Sequence, residues 1–327
     1  MTNVLVIGGA GYVGSHACKA LAGAGYTPVT FDDLSTGHDW AVRWGPFEKG
    51  SILEPSALDA AMKKHDPAAV LHFASRISVG ESVEKPEEYY EINVAGSVNV
   101  LEAMRRHGCS TFVFSSSAAV YAGNDFNIIP ETAPLAPGNP YGHTKQVVEQ
   151  VLKEFNAAHG FRAMALRYFN AAGADPAGDI GEDHEPETHL IPLAIKSALG
   201  LEPGLSIFGG DYPTEDGTCV RDYVHVEDLA RAHVLAMECL RANGGIDFIN
   251  LGGGQGRTVR QVVDTVQAVS GRDFPVTVTA RRAGDAVRLV ADIARAEEVL
   301  GWHPEKSDLK TVVETAWAWH AKHHGKK

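Results

Sequence analysis

Apolar positions in the first half of the chain come in short, nearly unbroken runs with helix-spaced stretches between them. Val4-Leu5-Val6-Ile7 is the first such run, and residues 27–31, 69–73, 111–115 and 163–168 repeat the pattern. Residues apolar on consecutive positions suit parallel strands covered on both faces. Stretches 12–22, 55–65, 87–107 and 141–159 instead carry apolar residues at helical spacing. Strand and helix therefore alternate, which predicts an α/β fold: a Rossmann-type doubly wound parallel sheet. Gly108 and Gly160 each fall just past a helical stretch, where a left-handed C-cap is expected.

The regularity fades after Asn170. Residues 174–188 are rich in Gly, Pro, Asp and Glu and read as a loop over a cleft. Helical spacing returns at 190–200, 228–242 and 309–323. The expected division is a dinucleotide-binding domain over 1–173 and a smaller, partly discontinuous C-terminal substrate domain over 174–327. Segments 219–225 and 248–252 are candidates to return to the edge of the main sheet.

The net charge of −12 over 327 residues opposes general binding to nucleic acid or to anionic membranes. A phosphate ligand must then be held by local arginines or a helix N-terminus, against the global field. No apolar run approaches the ~20 residues of a membrane span. Cys18, Cys109, Cys219 and Cys239 make no CxxC pair, and the glycine turn starts at Gly8, with no signal peptide before the first strand. A reducing, cytoplasmic setting with free thiols is expected.

Chemistry enters at four points. Gly8-Gly9-Ala10-Gly11-Tyr12-Val13-Gly14 lies between the first strand and the first helix, the context of a dinucleotide-binding turn. Asp32 and Asp33 end the next strand, where a carboxylate can hold ribose hydroxyls. No arginine follows them to meet a 2′-phosphate, so NAD is favoured over NADP. Ser115-Ser116-Ser117 ends a further strand, at the edge where such folds bind ligands. Tyr141 and Lys145 are spaced i, i+4 on one helical face, behind Asn139-Pro140 as a helix start. A free phenol titrates near 10, so a tyrosine base needs about 4 kcal/mol of help to ionise three units lower. An ammonium, a cationic nicotinamide and a hydrogen bond together could supply it. The expected chemistry is redox at a carbon bearing a hydroxyl.

Taken with further segments, these residues resemble the extended short-chain dehydrogenase/reductase family, and within it the members that invert C4 of UDP-hexoses. The segments include His72-Phe73-Ala74, Asn139-Pro140-Tyr141-Gly142, Arg167-Tyr168-Phe169-Asn170-Ala171-Ala172-Gly173, Val220-Arg221-Asp222-Tyr223-Val224-His225 and Arg281-Arg282-Ala283-Gly284-Asp285. The likeness runs through almost the whole chain. It implies NAD retained through the reaction, UDP-glucose and UDP-galactose as substrates, and a homodimer formed by helices such as 87–107 and 141–159.

The resemblance also assigns roles. Ser117, Tyr141 and Lys145 would be catalytic. Around NAD it implies Gly8, Gly11, Tyr12, Val13 and Gly14 on the turn. Asp32, Asp33, Leu34, Ser35, Thr36 and Gly37 would follow the second strand. Ser51, Ile52, Phe73, Ala74, Ser75 and Asn93 would come next, then Tyr168 and Phe169. Around the sugar nucleotide it implies Asn170, His189 and Leu190, with Ser206, Ile207 and Phe208. Arg221 and Arg282 would clamp the pyrophosphate in guanidinium forks, the alternative being ion pairs with Asp222 or Asp285. Asp285 and Leu289 complete the set, Leu289 standing where the family has a gate beside the C2 group. The chain departs from the family pattern at three positions. Ser51 stands for an aspartate facing the adenine, Ile77 for a basic residue near the phosphates, and His189 for an asparagine.

No metal is expected. His320, His323 and His324 read as a solvated helix end, and His184 and His189 as part of a carboxylate-rich loop. A 4,6-dehydratase needs an acid near the serine, but Ala118 and Ala119 follow Ser117. Epimerisation of UDP-glucuronate stays open, and a non-catalytic NAD sensor is the alternative from another class.

Overall fold

The computed structural model describes residues 1–121, 126–282 and 285–324. The first half runs β1 (Asn3–Ile7), α1 (Tyr12–Gly23), β2 (Thr27–Asp32), β3 (Phe47–Lys49), α2 (Pro55–His65) and β4 (Ala69–His72). There follow α3 (Val79–Glu84), α4 (Pro86–Tyr89), a π-helical stretch (Tyr90–Ala95), α5 (Gly96–Arg106), β5 (Thr111–Ser117), α6 (Pro140–His159) and β6 (Arg162–Tyr168). The second half runs β7 (Asn170–Ala172), α7 (Leu190–Leu199), β8 (Leu205–Phe208), β9 (Val220–His225), α8 (Val226–Asn243) and β10 (Ile246–Leu251). It closes with β11 (Gly256–Thr258), α9 (Val259–Ser270), β12 (Val276–Thr279), β13 (Arg288–Leu289), α10 (Ala294–Leu300) and α11 (Leu309–His324).

Seven parallel strands form the main sheet in the order β10-β6-β5-β4-β1-β2-β3. The chain order reverses between β1 and β4, and the carboxyl ends of these two strands open the crevice where doubly wound sheets take ligands. Alternate residues of each strand enter opposite cores. Val4 and Val6 pack under α1 and α8, whereas Leu5 and Ile7 pack under α2, α5 and α6. Burial on both faces is why these strands read as continuous apolar runs.

The tertiary structure changes three expectations, one of them at His320, which is buried and not part of a solvated helix end, and bears out a fourth. The single helix expected over 87–107 is interrupted by the π-helical stretch Tyr90–Ala95, whose i→i+5 pairing inserts an extra residue in the turn. Segment 248–252 does return to the main sheet, as part of edge strand β10 beside β6. Segment 219–225 does not. It becomes β9, the hub of a small separate sheet with β7, β11 and β13. A third core joins α7, α9 and α11 to β8 and β9. Because α8, α10 and β10 pack on the main sheet, a cut at residue 173 divides the sequence more cleanly than it divides the layers.

Candidate active site

Each glycine of the first turn answers a different need. Gly8 sits at φ +80, and a Cβ there would lie 2.4 Å from the Ala74 nitrogen at the end of β4. A Cβ on Gly14 would lie 2.1 Å from the Gly8 carbonyl oxygen, so this glycine lets α1 close on β1. Gly11 is different: its φ is −82, and a Cβ would meet only the Gly8 oxygen, at 3.4 Å. Neither strain nor packing demands glycine there. It is the N-cap of α1 and provides no side-chain cap, so the first N–H groups of this helix face the crevice with their partial positive charge. A backbone left bare at a helix N-terminus fits a bound pyrophosphate.

Around this turn, the Asp32 carboxylate accepts from the Ala10 N–H at 3.0 Å and the Leu34 N–H at 2.9 Å. Burial raises its pKa, and these two bonds oppose the rise. Asp33 is exposed and caps the Ser35 N–H at 2.8 Å. Leu34 adopts φ +63, and a Cβ on Gly37 would touch Ala10 at 3.0 Å, so residues 33–37 fold back on the turn. The Tyr12 hydroxyl donates to the Gly173 carbonyl at 2.6 Å. Val13 and Phe73 pack on the core beneath the sheet. Ser51 accepts from the Leu53 N–H at 3.3 Å, and the Ile52 side chain is buried in the opposite core. Ser75 donates to the Arg76 carbonyl, and Asn93 spends its amide on the Arg76 backbone and Thr144. Asn93 therefore shapes the Ala74–Arg76 turn.

The carboxyl end of β5 and the first turn of α6 bring Ser117, Tyr141 and Lys145 together. Asn139 caps α6 by accepting from the Gly142 N–H at 2.9 Å, and Pro140 takes the first helical position. A Cβ on Gly142 would lie 2.2 Å from the Ala119 carbonyl oxygen. Glycine after Tyr141 thus lets α6 dock on the turn Ala118–Val120, and the docking carries the phenol to Ser117. The Tyr141 phenol lies beside the Ser117 side chain, which acts to lower its pKa and itself accepts from the Ala119 N–H at 3.1 Å. Lys145 Nζ donates to the Ser115 carbonyl at 2.9 Å and lies 5.8 Å from the centre of the Tyr141 ring. The Tyr168 hydroxyl meets Ser115 Oγ at 2.5 Å.

Burial dominates the electrostatics of this cluster. It raises the Tyr141 phenol, against the lowering effect of Ser117. The help that the spacing suggested is thus incomplete in the chain alone, because desolvation outweighs the lowering effect of the Ser117 side chain. Burial also pushes Lys145 down from 10.5 to about 7, Glu149 pulling the other way. Between those values the unfolded chain holds a proton that the native chain has lost, so Lys145 makes stability rise with pH. Stability of the parent relative to Lys145→Met should therefore increase by roughly 2 kcal/mol from pH 7 to pH 9. Urea unfolding at both values measures this, and an unchanged difference would show that the lysine is not held neutral.

Sequence reasoning missed the support beneath the trio. Glu149 continues the Tyr141–Lys145 stripe by one more helical turn. Its carboxylate accepts from Ser116 Oγ at 2.7 Å and from Arg167 Nε and Nη2 at 2.8 and 2.6 Å. Arg167 Nη1 also donates to the Tyr121 hydroxyl at 2.7 Å, which donates to Asn250 at 2.8 Å. The i, i+4 spacing from Lys145 was the available signal, but an exposed carboxylate has the same spacing.

Across the crevice, Asn170 on β7 donates to the Asp222 carbonyl at 2.9 Å. Arg221 on β9 pairs with Asp285 at 3.3 Å and donates to the carbonyls of Val220 and Ala286. Asp222 is turned the other way: it is buried, accepts from the Gly253, Gly254 and Ala291 N–H groups, and is raised by burial to about 6. The exposed Arg282 guanidinium stacks 3.7 Å from the centre of the Phe208 ring. Ser206 points to solvent and Ile207 into the third core. Ala283 and Gly284 lie outside the described residues. Leu289, paired in register with Arg221, packs against the small cluster of Ala118, Val120, Tyr121, Ile129 and Ala133 that includes the serine turn, and not in the third core. His189 is the N-cap residue of α7 and turns to Glu182; Leu190 packs against the third core.

Residues 4–252 match the NAD dependent epimerase/dehydratase family. The chain belongs to that family. It is 52% identical over 319 residues to a UDP-glucose 4-epimerase of Rhizobium leguminosarum bv. trifolii, with 98% of this chain and 97% of the relative covered. The NAD complex of UDP-glucose 4-epimerase from Brucella ovis superposes with a TM-score of 0.95 at 51% identity, covering 97% of this chain and 98% of that one. A UDP-Glc/GlcNAc 4-epimerase from Campylobacter jejuni superposes at 0.87 with 35% identity, covering 98% and 100%. The fold that frames the crevice at the β1/β4 switch point is thus that of the NAD dependent epimerase/dehydratase family.

Proposed function

We propose that this protein interconverts UDP-glucose and UDP-galactose by inverting C4 through a 4-keto sugar. The observation that carries the reading is the placement of the Tyr141 phenol beside Ser117 at the end of β5, with Lys145 held behind it on the Ser115 carbonyl. When bound, NAD supplies a reversible hydride acceptor for C4 and remains with the protein. Gly8, Gly11 and the N-terminus of α1 hold its pyrophosphate, and Asp32 and Asp33 hold its adenosine end. Tyr141 removes the proton of the 4-hydroxyl and later returns it. Ser117 accepts from and donates to the same oxygen, which orients the sugar for proton transfer. In its protonated form, Lys145 supplies positive charge that favours the phenolate. Arg221 and Arg282 anchor the UDP pyrophosphate so that the hexose can present either face. The absence of an acid after Ser117 and the UDP-glucose 4-epimerases among the relatives both disfavour dehydration.

On this reading residues 1–173 form the NAD-binding part, and most of 174–327 forms the sugar-nucleotide part. Two copies pair through the helices over 87–107 and 141–159 in the cytoplasm. The exposed apolar residues Val83 and Tyr90 on that side support the pairing. Purified protein should have the mass of two chains, carry NAD, and equilibrate UDP-galactose with UDP-glucose without added nicotinamide. Protein that carries NAD but leaves every UDP-sugar unchanged would favour a sensor.

Leu289 bears on breadth. Its contact with the serine turn supports a place beside the sugar C2 group. An acetyl group forced into that space costs about 1–3 kcal/mol. UDP-glucose and UDP-galactose should be worked efficiently and the N-acetyl sugars weakly at most. Leu289→Ser should raise kcat/KM for the N-acetyl pair roughly tenfold relative to the parent sugars, and Leu289→Tyr should abolish it. Equal ratios in all three proteins would remove Leu289 from the sugar site.

A further inference from the structure

Away from Tyr141, the segment leading into α7 gathers two imidazoles and two carboxylates. His189 Nδ1 lies 2.5 Å from Glu182 Oε1, and His184 Nδ1 lies 3.3 Å from the same oxygen. Glu187 Oε1 lies 3.7 Å from the His189 nitrogen and 4.0 Å from the His184 nitrogen. All the candidate ligand atoms fall within 4.8 Å of one another. An ion with tetrahedral bonds of about 2.0–2.1 Å holds its ligand atoms about 3.3 Å apart. Four of the six separations straddle that value and the other two lie within 4.8 Å, so side-chain adjustment without backbone rearrangement would close the group on a metal.

The cluster does not satisfy itself. The Glu182 and Glu187 side chains are each only 3% exposed. Glu187 Oε1 accepts from the Thr188 and His189 N–H groups at 2.7 and 2.8 Å. Glu187 Oε2 is buried with no hydrogen-bond partner. A buried carboxylate oxygen without a donor is costly, and native proteins rarely leave one so. Burial first, and then the Glu182 charge, raise the Glu187 carboxyl, while the two imidazoles, against burial, hold Glu182 below the usual carboxylate range. A dication would neutralise both carboxylates and leave both imidazoles as neutral ligands.

We propose that Glu182, His184, Glu187 and His189 form a closed, four-ligand site for a divalent transition metal, with zinc the best fit. Two imidazole nitrogens and two carboxylates suit zinc. Magnesium and calcium prefer all-oxygen shells of six or more ligands. With no position left open, the ion acts structurally. It ties residues 182–189 to the start of α7. It also sits behind Tyr12, whose ring meets His184 edge-on with centroids 6.4 Å apart. The metal would thus brace the loop over the dinucleotide turn. The inference does not rest on the epimerase reading, since its four side chains do not touch Tyr141, but it assigns His189 to the metal and not to the sugar nucleotide. Spacing alone pointed away from a metal because it cannot show Glu187 folding back on Glu182.

The test uses the full chain without an affinity tag. Protein stripped with EDTA is dialysed against zinc, passed through gel filtration and assayed for metal. The parent should retain one zinc per chain, and Glu187→Gln and His184→Ala should retain none. His323→Ala should still hold one, which separates this site from the neighbouring Asp183, His323 and His324 group. Cobalt(II) in the parent should show the intense visible bands of tetrahedral coordination, and excess magnesium or calcium should not displace it. The cobalt spectrum needs no variant, so it decides the matter even if a substitution unfolds the loop. No retained zinc in the parent, six-coordinate cobalt, or equal zinc in Glu187→Gln would each overturn the proposal.

Discussion

Tyr141→Phe lowers turnover of UDP-galactose by about 10²–10⁴-fold and leaves NAD in the protein. Phenylalanine fills the same space and removes only the hydroxyl beside Ser117. The ring is 9% exposed and wedged over the β5 end, so the fold loses little packing. The cofactor contacts expected of the glycine turn are untouched, and NAD should stay through gel filtration. The check is kcat together with the absorbance of retained cofactor. Turnover within tenfold of the parent would sink the proposal that Tyr141 is the base. Loss of NAD in step with activity would make the residue an anchor.

The largest effect on stability is expected at Glu149. Its carboxylate and the Arg167 guanidinium are 2% and 4% exposed and meet in a two-point fork at 2.8 and 2.6 Å. Glu149→Ala leaves Arg167 charged and buried beneath Tyr121 and Phe248. Breaking such a pair by removing one partner costs about 3–5 kcal/mol, because the surviving charge keeps its desolvation penalty. Urea unfolding should show that loss, and Glu149→Leu combined with Arg167→Met should restore most of it. The double variant matters because the pair itself need not be stabilising once desolvation is counted. A single-variant loss under 1 kcal/mol would mean that water or a neighbour relieves Arg167. Glu149 also receives the Ser116 hydroxyl and supports the charge of Lys145, so turnover should fall with stability in the single variant.

How much of this was legible before folding follows from the range of each signal. The strands of the main sheet were readable because burial on both faces makes successive residues apolar, as at Val4 to Ile7. The start of α6 was readable because Asn139, Pro140 and the Tyr141–Lys145 spacing act within a few residues. The glycine turn was readable because a strand, a bare helix N-terminus and a close approach lie within one βα unit. All of these are local forces. The choice of partner for each strand is not. β9 and β10 have similar apolar character, yet one anchors a small sheet and the other the edge of the large one. The approach of Tyr141 to Ser117 depends on Gly142 meeting the Ala119 carbonyl, a contact between segments far apart in sequence. The sign of the Tyr141 shift depends on how much water the folded chain removes, which no spacing of charges reveals. Arg167 seated on Glu149 and Glu187 folded against Glu182 belong to the same class. Composition and periodicity marked out which segments are strands and helices, and motifs with the family resemblance nominated the residues proposed to carry chemistry. Only the packed structure decided which of those residues meet and whether burial or charge sets their protonation, because both depend on contacts and desolvation that arise between distant parts of the chain.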